Sequence, residues 1–139
     1  MTSPTARLAA AVGAGVAATA VMSAYMLGGE SREAIGTPPP GRIVARLRPG
    51  WTAEQVSAAG TVLHLGIGAS GGVLAVLLRR FGPPSSLPAA VILWFVGYEV
   101  VAPALGVLPP AHRDGDRARH LFRAHLVYGA ALTLLRRVR

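Results

Sequence analysis

The segment Leu87–Leu108 is the feature that most limits what this chain can fold into. Its sequence, LPAAVILWFVGYEVVAPALGVL, has 22 residues and one ionisable side chain, that of Glu99. A run of this length and apolarity predicts a transmembrane helix. Because Pro103 has no N–H, the carbonyl of Glu99 loses its helical donor, and we expect a break or bend at that point. The Glu99 carboxyl also needs a partner or a purpose, since a lone charge at membrane depth costs about 3 kcal/mol.

Three further apolar runs predict an all-α membrane protein, a four-transmembrane-helix bundle that forms a single integral membrane domain. We predict helix 1 at about residues 7–28, helix 2 at about 53–80, helix 3 at about 87–108 and helix 4 at about 118–138. A short interfacial segment at 29–52 joins helices 1 and 2, and a charged loop at 109–117 joins helices 3 and 4. Thr52 and Gln55 have the spacing of a capping box that starts helix 2.

The composition supports a membrane location. Only 14% of the 139 residues are charged, whereas a soluble domain has roughly a quarter. All 14 basic residues are arginines and they lie at the ends of apolar runs, which is typical of membrane-flanking charge and not of a nucleic-acid-binding surface. The absence of cysteine excludes disulfides and thiolate chemistry. The Arg-only, Ala- and Gly-rich usage suggests a bacterium, and hence a multi-pass protein of the cytoplasmic (inner) membrane.

The segment between helices 1 and 2 contains a candidate lipid-headgroup surface. Thr37–Gly41 is proline-rich and is expected to be extended rather than helical. The short basic piece that follows predicts contact with anionic lipid headgroups, and Trp51 suits the interfacial belt. The residues concerned are Arg42, Arg46, Arg48 and Trp51.

The arginines do not fix the orientation by number alone. With four spans, six arginines lie on the side of the termini and eight on the side of the two polar loops. The six are undiluted by acids, whereas the eight share their loops with five acidic residues. We therefore expect both termini in the cytoplasm.

Glycines on predicted helix 2 indicate a close packing face. Gly60, His64, Gly68 and Gly72 are spaced by four residues and so fall on one side of a helix. His64 is therefore expected to point at protein and not at lipid. The same glycine-rich faces could serve internal packing or a homo-oligomer.

Three ionisable groups in the spans are predicted to lie near one depth. His64 follows the start of helix 2, His125 follows the start of helix 4, and Glu99 precedes the end of helix 3. At 1.5 Å per residue all three lie roughly 7–14 Å below the same surface. The candidate intramembrane site adds three neighbours at similar levels: Ser23, Arg123 and Tyr128.

Three roles for this site stay open. Intramembrane Glu and His favour a proton, ion or small-solute site. Alternatively, the buried polar groups only fix helix packing in a non-catalytic structural or interaction protein. A third alternative is a haem- or metal-binding redox protein with the two histidines as ligands and Glu99 as a third ligand. No spacing of a metal motif supports the third role, and we predict neither a cofactor nor an enzyme.

Several segments resemble the YagU-type family of small bacterial inner-membrane proteins. They are Ala17-Ala18-Thr19-Ala20-Val21-Met22-Ser23, Pro38-Pro39 followed by Ile43-Val44, and Gly97-Tyr98-Glu99 through Pro109-Pro110. The resemblance implies a small polytopic inner-membrane protein whose biochemical activity is not established. It assigns no catalytic residues.

Overall fold

All regular structure is helical in residues 3–81 and 85–137, the part of the chain that this computed structural model describes. Two short helices, α2 and α3, connect the first two of four long helical rods. The helices are α1 (Pro4–Met26), α2 (Gly29–Ile35), α3 (Pro39–Leu47), α4 (Ala53–Leu77), α5 (Ser86–Trp94), α6 (Ala102–Ala104) and α7 (Gly115–Arg137). A 3₁₀ turn (Leu78–Phe81) extends α4, a π-helix (Phe95–Val101) joins α5 to α6, and a second 3₁₀ turn (Ala111–Arg113) precedes α7.

Side-chain caps start two of the long helices. Ser3 accepts a hydrogen bond from the backbone N–H of Ala6 at 3.1 Å, and Pro4 occupies the first turn of α1, where its missing N–H has no cost. The capping box at α4 is present as predicted. The Thr52 hydroxyl accepts from the Gln55 N–H at 3.2 Å, and the Gln55 side chain accepts from the Thr52 N–H at 2.9 Å.

The expectation that Thr37–Gly41 is extended is wrong for its second half. Pro39, Pro40 and Gly41 form the first turn of α3, with Pro38 as its extended N-cap. Proline is tolerated there because the first N–H groups of a helix have no intrahelical acceptor. The chain reverses just before, at Gly36, whose φ of 63° suits glycine.

The interruption expected at Pro103 is present as a π-helix over Phe95–Val101. In this wider turn a carbonyl accepts from the residue five positions on, as in the bond from the Ala102 N–H to the Gly97 oxygen. Pro103 itself lies in α6, and because it has no N–H, the α-helical bond from position 103 to the Glu99 carbonyl cannot form. The rod ends at Gly106, which has a φ of 64°.

The four rods pack into a bundle in which α1 contacts α4 and α7, and α5 contacts the same two helices. Close approach is possible because the contacts are made by small residues. A Cβ added to Gly68 would collide with Thr19 of α1, and one added to Gly72 would collide with the backbone of Ala11. The predicted glycine face is therefore confirmed as a packing face. Gly60, by contrast, lies against Gly41 of α3, so the same face of α4 holds both α1 and α3.

The outer surface of the bundle is apolar, and its interior is lined largely by alanine and glycine. Large aliphatic and aromatic side chains face outward, among them Val62, Phe95 and Leu134, which are 71%, 54% and 62% exposed. This distribution is the reverse of that in a soluble domain and suits a lipid environment. Three helical rods are long and apolar enough to cross a membrane: Pro4–Met26, Ala53–Arg80 and Ser86–Ala104. The protein is therefore membrane-embedded.

The last rod, α7, is not among these three candidates. It begins at Gly115, three residues before the predicted start, and the predicted end at Val138 lies outside the described residues. Its first half carries exposed Arg119 and Arg123, which lower its hydropathy. Its buried face is nonetheless continuous: Ala118, His120, Leu121, Ala124, Tyr128, Gly129 and Leu132.

Candidate functional site

A cavity of about 80 Å³ lies between the rods at the level of the two predicted histidines. His64 of α4 and His125 of α7 both line it. The remaining walls come from α1, α3, α5, the π-helix and further residues of α4 and α7, and include Met22, Met26, Pro40, Ile43, Trp94, Tyr98 and Tyr128. The structure thus brings together two of the three predicted central groups, although they are 61 positions apart in the sequence.

The hydrogen bond of His125 defines which ring nitrogen faces outward from its own helix. Its Nδ1 lies 2.8 Å from the carbonyl oxygen of Leu121. Because a carbonyl oxygen can only accept, Nδ1 carries a proton and donates it. In a neutral ring Nε2 is then left as an acceptor. The imidazoles of His64 and His125 line the same cavity.

Tyr128 forms the link between α7 and α4 at this cavity. Its ring is 1% exposed, and its hydroxyl donates to the carbonyl oxygen of Gly68 at 2.6 Å. The same hydroxyl occupies the space where a Cβ on Gly71 would lie. Gly71 is therefore needed for Tyr128 to reach the backbone of α4.

Aromatic side chains form one wall of the cavity. The Trp94 and Tyr98 rings stack with centroids 5.9 Å apart, and Phe122 meets the edge of Trp94 at 5.1 Å. Both polar atoms of the stacked pair, Trp94 Nε1 and the Tyr98 hydroxyl, are buried without a hydrogen-bond partner among the described residues. Unsatisfied buried donors are uncommon, because each costs about 1–3 kcal/mol. Trp94 and Tyr98 were not predicted as site residues; their four-residue spacing beside Glu99 was the available signal.

Glu99 does not line the cavity. Its side-chain Oε1 accepts a hydrogen bond from the backbone N–H of Ala111 at 3.1 Å. The carboxyl thus fastens the connection that leads into α7, and the predicted trio of His64, Glu99 and His125 is not a single cluster. The reason is rotational: position along a helix does not determine which way a side chain faces, and the π-helix alters that direction for each side chain of Phe95–Val101.

Of the three predicted neighbours, Tyr128 lines the cavity, whereas Arg123 and Ser23 lie outside it. Arg123 is exposed on the outer side of α7 and lines a separate surface groove with Asp116 and Glu33. Ser23 lines a groove of about 640 Å³ between the end of α1, the α2–α3 connection and the start of α4. His64, Met26 and Pro40 line both this groove and the cavity. His64 is thus the polar side chain that stands between the groove and the interior.

The predicted headgroup residues lie on the exposed side of α3 and just after it. Arg46 donates through Nε to the carbonyl oxygen of Leu105 at 3.3 Å, and Arg42 donates to that of Thr37 at 2.9 Å. The Arg48 guanidinium lies over the Trp51 ring, 5.6 Å from its centroid. Arg42 and Arg46 each use one nitrogen for the protein, so further N–H groups stay available for an anion.

The chemistry that the cavity offers is hydrogen bonding without charge. Its lining contains no Asp, Glu, Lys or Arg side chain among the described residues. Likewise, residues 3–81 and 85–137 contain no group of three or more His, Cys, Asp or Glu side chains placed to hold a metal ion.

These features define a class of protein: a helical membrane protein with a largely apolar cavity between its rods, lined by two histidines and no Asp, Glu, Lys or Arg side chain among the described residues. No family model, curated protein or solved structure matches the chain.

Proposed function

We propose that the protein binds a small, uncharged, hydrogen-bonding solute in the cavity between His64 and His125. The observation that carries this proposal is the cavity itself, which two imidazoles line together with Trp94 and Tyr98; the indole N–H and the hydroxyl of these last two residues are buried without a hydrogen-bond partner among the described residues. A ligand with one hydrogen-bond acceptor and one donor could accept from Trp94 or Tyr98 and donate to an imidazole nitrogen at the same time. Satisfying buried polar groups is the main source of selectivity in an apolar pocket.

The size and charge of the cavity limit the solute. A cavity of about 150 Å³ holds benzene, so one of about 80 Å³ suits a smaller molecule. With no charged side chain in the lining, an anion or a metal cation would be desolvated without compensation. The proposed ligand class is therefore the small amides and alcohols, with roughly four non-hydrogen atoms.

Access to the cavity is proposed from the groove that contains Ser23. His64 lines both spaces, so a change of its rotamer would connect them. His64 would act as the gate, while His125, held through Nδ1 by Leu121, would act as the fixed acceptor. A proton could follow the same route, because both groups are imidazoles.

Acetamide is a suitable probe because it carries one acceptor and one donor group in four heavy atoms. Substituting Trp51→Phe leaves Trp94 as the only tryptophan of the two in the chain, so its indole N–H gives a single NMR signal in nanodiscs. Acetamide should shift that signal saturably, with a Kd of about 1 mM; this value corresponds to about 1 kcal/mol per non-hydrogen atom, below the usual ceiling of about 1.5. Acetate, which has the same shape but is charged, should not.

Two variants on α7 complete the design. His125→Phe removes the fixed acceptor and should weaken acetamide binding about fivefold, the effect of one hydrogen bond. Arg123→Gln lies two residues away on the outer surface and should bind as the parent does. A shift that is linear in acetamide concentration, equal binding of acetate, or no effect of His125→Phe would each refute the proposal.

We also propose that α7 is a fourth transmembrane span. In support, α7 has the same length as α1, 23 residues, and it packs along both α1 and α5, which belong to candidate spans. Its length corresponds to roughly 34 Å, enough to cross the hydrocarbon core. The 12 residues between Arg123 and Arg136 are uncharged at neutral pH apart from His125, and Arg123 can extend towards the interface.

The cellular setting is proposed from the sequence. We propose an inner-membrane protein of the YagU type with both termini in the cytoplasm and with Arg42, Arg46, Arg48 and Trp51 on lipid headgroups, without catalytic activity. Reporter fusions after Gly28, Arg80, Ala111 and Arg139 should alternate in location. A fusion at Arg139 on the same side as one at Ala111 would contradict the fourth span.

A purely structural role is the alternative. It is favoured by the hydrogen bond from Tyr128 to the Gly68 carbonyl, which uses one cavity side chain to hold two helices together. In that case the cavity would contain only water, and acetamide would cause no saturable shift of the Trp94 signal. The same titration therefore separates the two functions.

A further inference from the structure

Another groove lies at the opposite end of the bundle, where α1 begins and α7 ends. It has a volume of about 760 Å³, and arginines from three different helical segments line it: Arg7 of α1, Arg79 after α4 and Arg136 of α7. Its apolar part includes Ala10, Ala14 and Val76. The histidine cavity shares none of these residues.

Arg79 and Arg136 bring two like charges to this groove. No acidic residue occurs in positions 1–29, 55–98 or 117–139 of the sequence, so none flanks the three arginines along the chain. Arg79 and Arg136 are close enough to repel one another. Arg136 is held in place by two hydrogen bonds of 3.2 Å from its Nη1 to the hydroxyls of Ser85 and Ser86. An anion at this place would relieve the repulsion and meet at least one guanidinium that is already oriented.

The shape of the groove is amphipathic. Ala14 lies seven residues after Arg7, so the alanine side of the groove extends roughly 10 Å below the arginines along α1. The small side chains of Ala10 and Ala14 line this part of the groove, where Ala10 is half-buried and Ala14 is buried. A charged mouth above an apolar floor matches a phosphate attached to an acyl chain better than it matches a free anion.

We propose that this groove binds an anionic phospholipid, with the phosphodiester on Arg7, Arg79 and Arg136 and an acyl chain along Ala10, Ala14 and Val76. Basic pockets between transmembrane helices on the cytoplasmic side are established places for such lipids. The site is separate from the headgroup surface on α3 and does not depend on solute binding in the histidine cavity.

Native mass spectrometry of the full chain in detergent, with phosphatidylglycerol added, tests the proposal directly. Arg7→Gln or Arg79→Gln should weaken retention of phosphatidylglycerol about fivefold, and replacing all three arginines should weaken it about 100-fold. Arg137→Gln removes the same charge from the same end but outside the groove, and should change retention by less than about twofold. Phosphatidylcholine, which has no net charge, should be retained weakly by every variant.

A competition experiment separates a lipid from a free anion. Inorganic phosphate at constant ionic strength should leave phosphatidylglycerol bound, because it cannot occupy the apolar floor. Displacement by phosphate would show a simple anion site and overturn the proposal. An equal loss of lipid in Arg79→Gln and Arg137→Gln would show general surface attraction and would overturn it too, while the acetamide titration would be unaffected in either case.

Discussion

Gly72→Ala is the substitution whose effect follows most directly from the packing of α1 against α4. A Cβ at position 72 would meet the backbone oxygen and carbon of Ala11 and would lie 3.2 Å from the Cα of Gly15. These are backbone atoms, so no rotamer change can make room for the new methyl group. The two helices would have to separate, and the bond from Tyr128 to the neighbouring turn of α4 would be strained with them.

The magnitude can be estimated against a control on the same helix. Overpacking of this kind costs about 1–3 kcal/mol, while alanine is favoured over glycine within a helix by about 1 kcal/mol. Gly66→Ala gains the helix propensity of alanine without the overpacking cost, because a Cβ there meets nothing within 4 Å. Gly72→Ala should therefore be less stable than Gly66→Ala by about 1–3 kcal/mol.

Reversible unfolding in mixed micelles of dodecyl maltoside and SDS, followed by tryptophan fluorescence, measures this difference. Both variants carry the same chemical change in the same helix, so effects on the unfolded state largely cancel. Equal free energies of unfolding for Gly66→Ala and Gly72→Ala would refute the close α1–α4 contact.

Three other outcomes are expected. Tyr128→Phe removes the hydroxyl that donates to the Gly68 carbonyl and should lower the free energy of unfolding in mixed micelles by about 1 kcal/mol; an unchanged value would mean that the bond contributes nothing. Glu99→Gln keeps an acceptor for the Ala111 N–H and should unfold like the parent, whereas Glu99→Ala should be about 1 kcal/mol less stable. Proteolysis of the loop before α7 should also be faster in Glu99→Ala alone.

The helical class and most element positions follow from the sequence because hydropathy and capping act locally. The apolar runs predicted the positions of the rods, and the capping box of Thr52 and Gln55 predicted the start of α4. The glycine spacing on α4 gave its packing face, since only small residues allow two helices to approach. Depth along the helices also placed His64 and His125 at one level.

The rest required three-dimensional information. Whether Glu99 faces the histidines depends on rotation around the helix, and the π-helix at Phe95–Val101 changes that rotation. Pro103 predicted an interruption there, but not the direction in which each side chain would turn. The aromatic wall escaped prediction because Trp94 and Tyr98 are as typical of a lipid-facing helix as of a cavity. The helical start of α3 escaped prediction because proline suits both an extended segment and a first helical turn.

The central claim is that His64 and His125 line one cavity, and paired cysteine substitution measures this most directly. The chain has no cysteine, so a double variant His64→Cys, His125→Cys reacts only at those positions with a short bifunctional thiol reagent. The control pair, His64→Cys with Arg123→Cys, places the second thiol two residues away, about 200° around α7 and on its exposed side. The first pair should crosslink within the monomer and the control pair should not. Equal crosslinking of both pairs, or crosslinking of the control pair alone, would contradict the shared cavity.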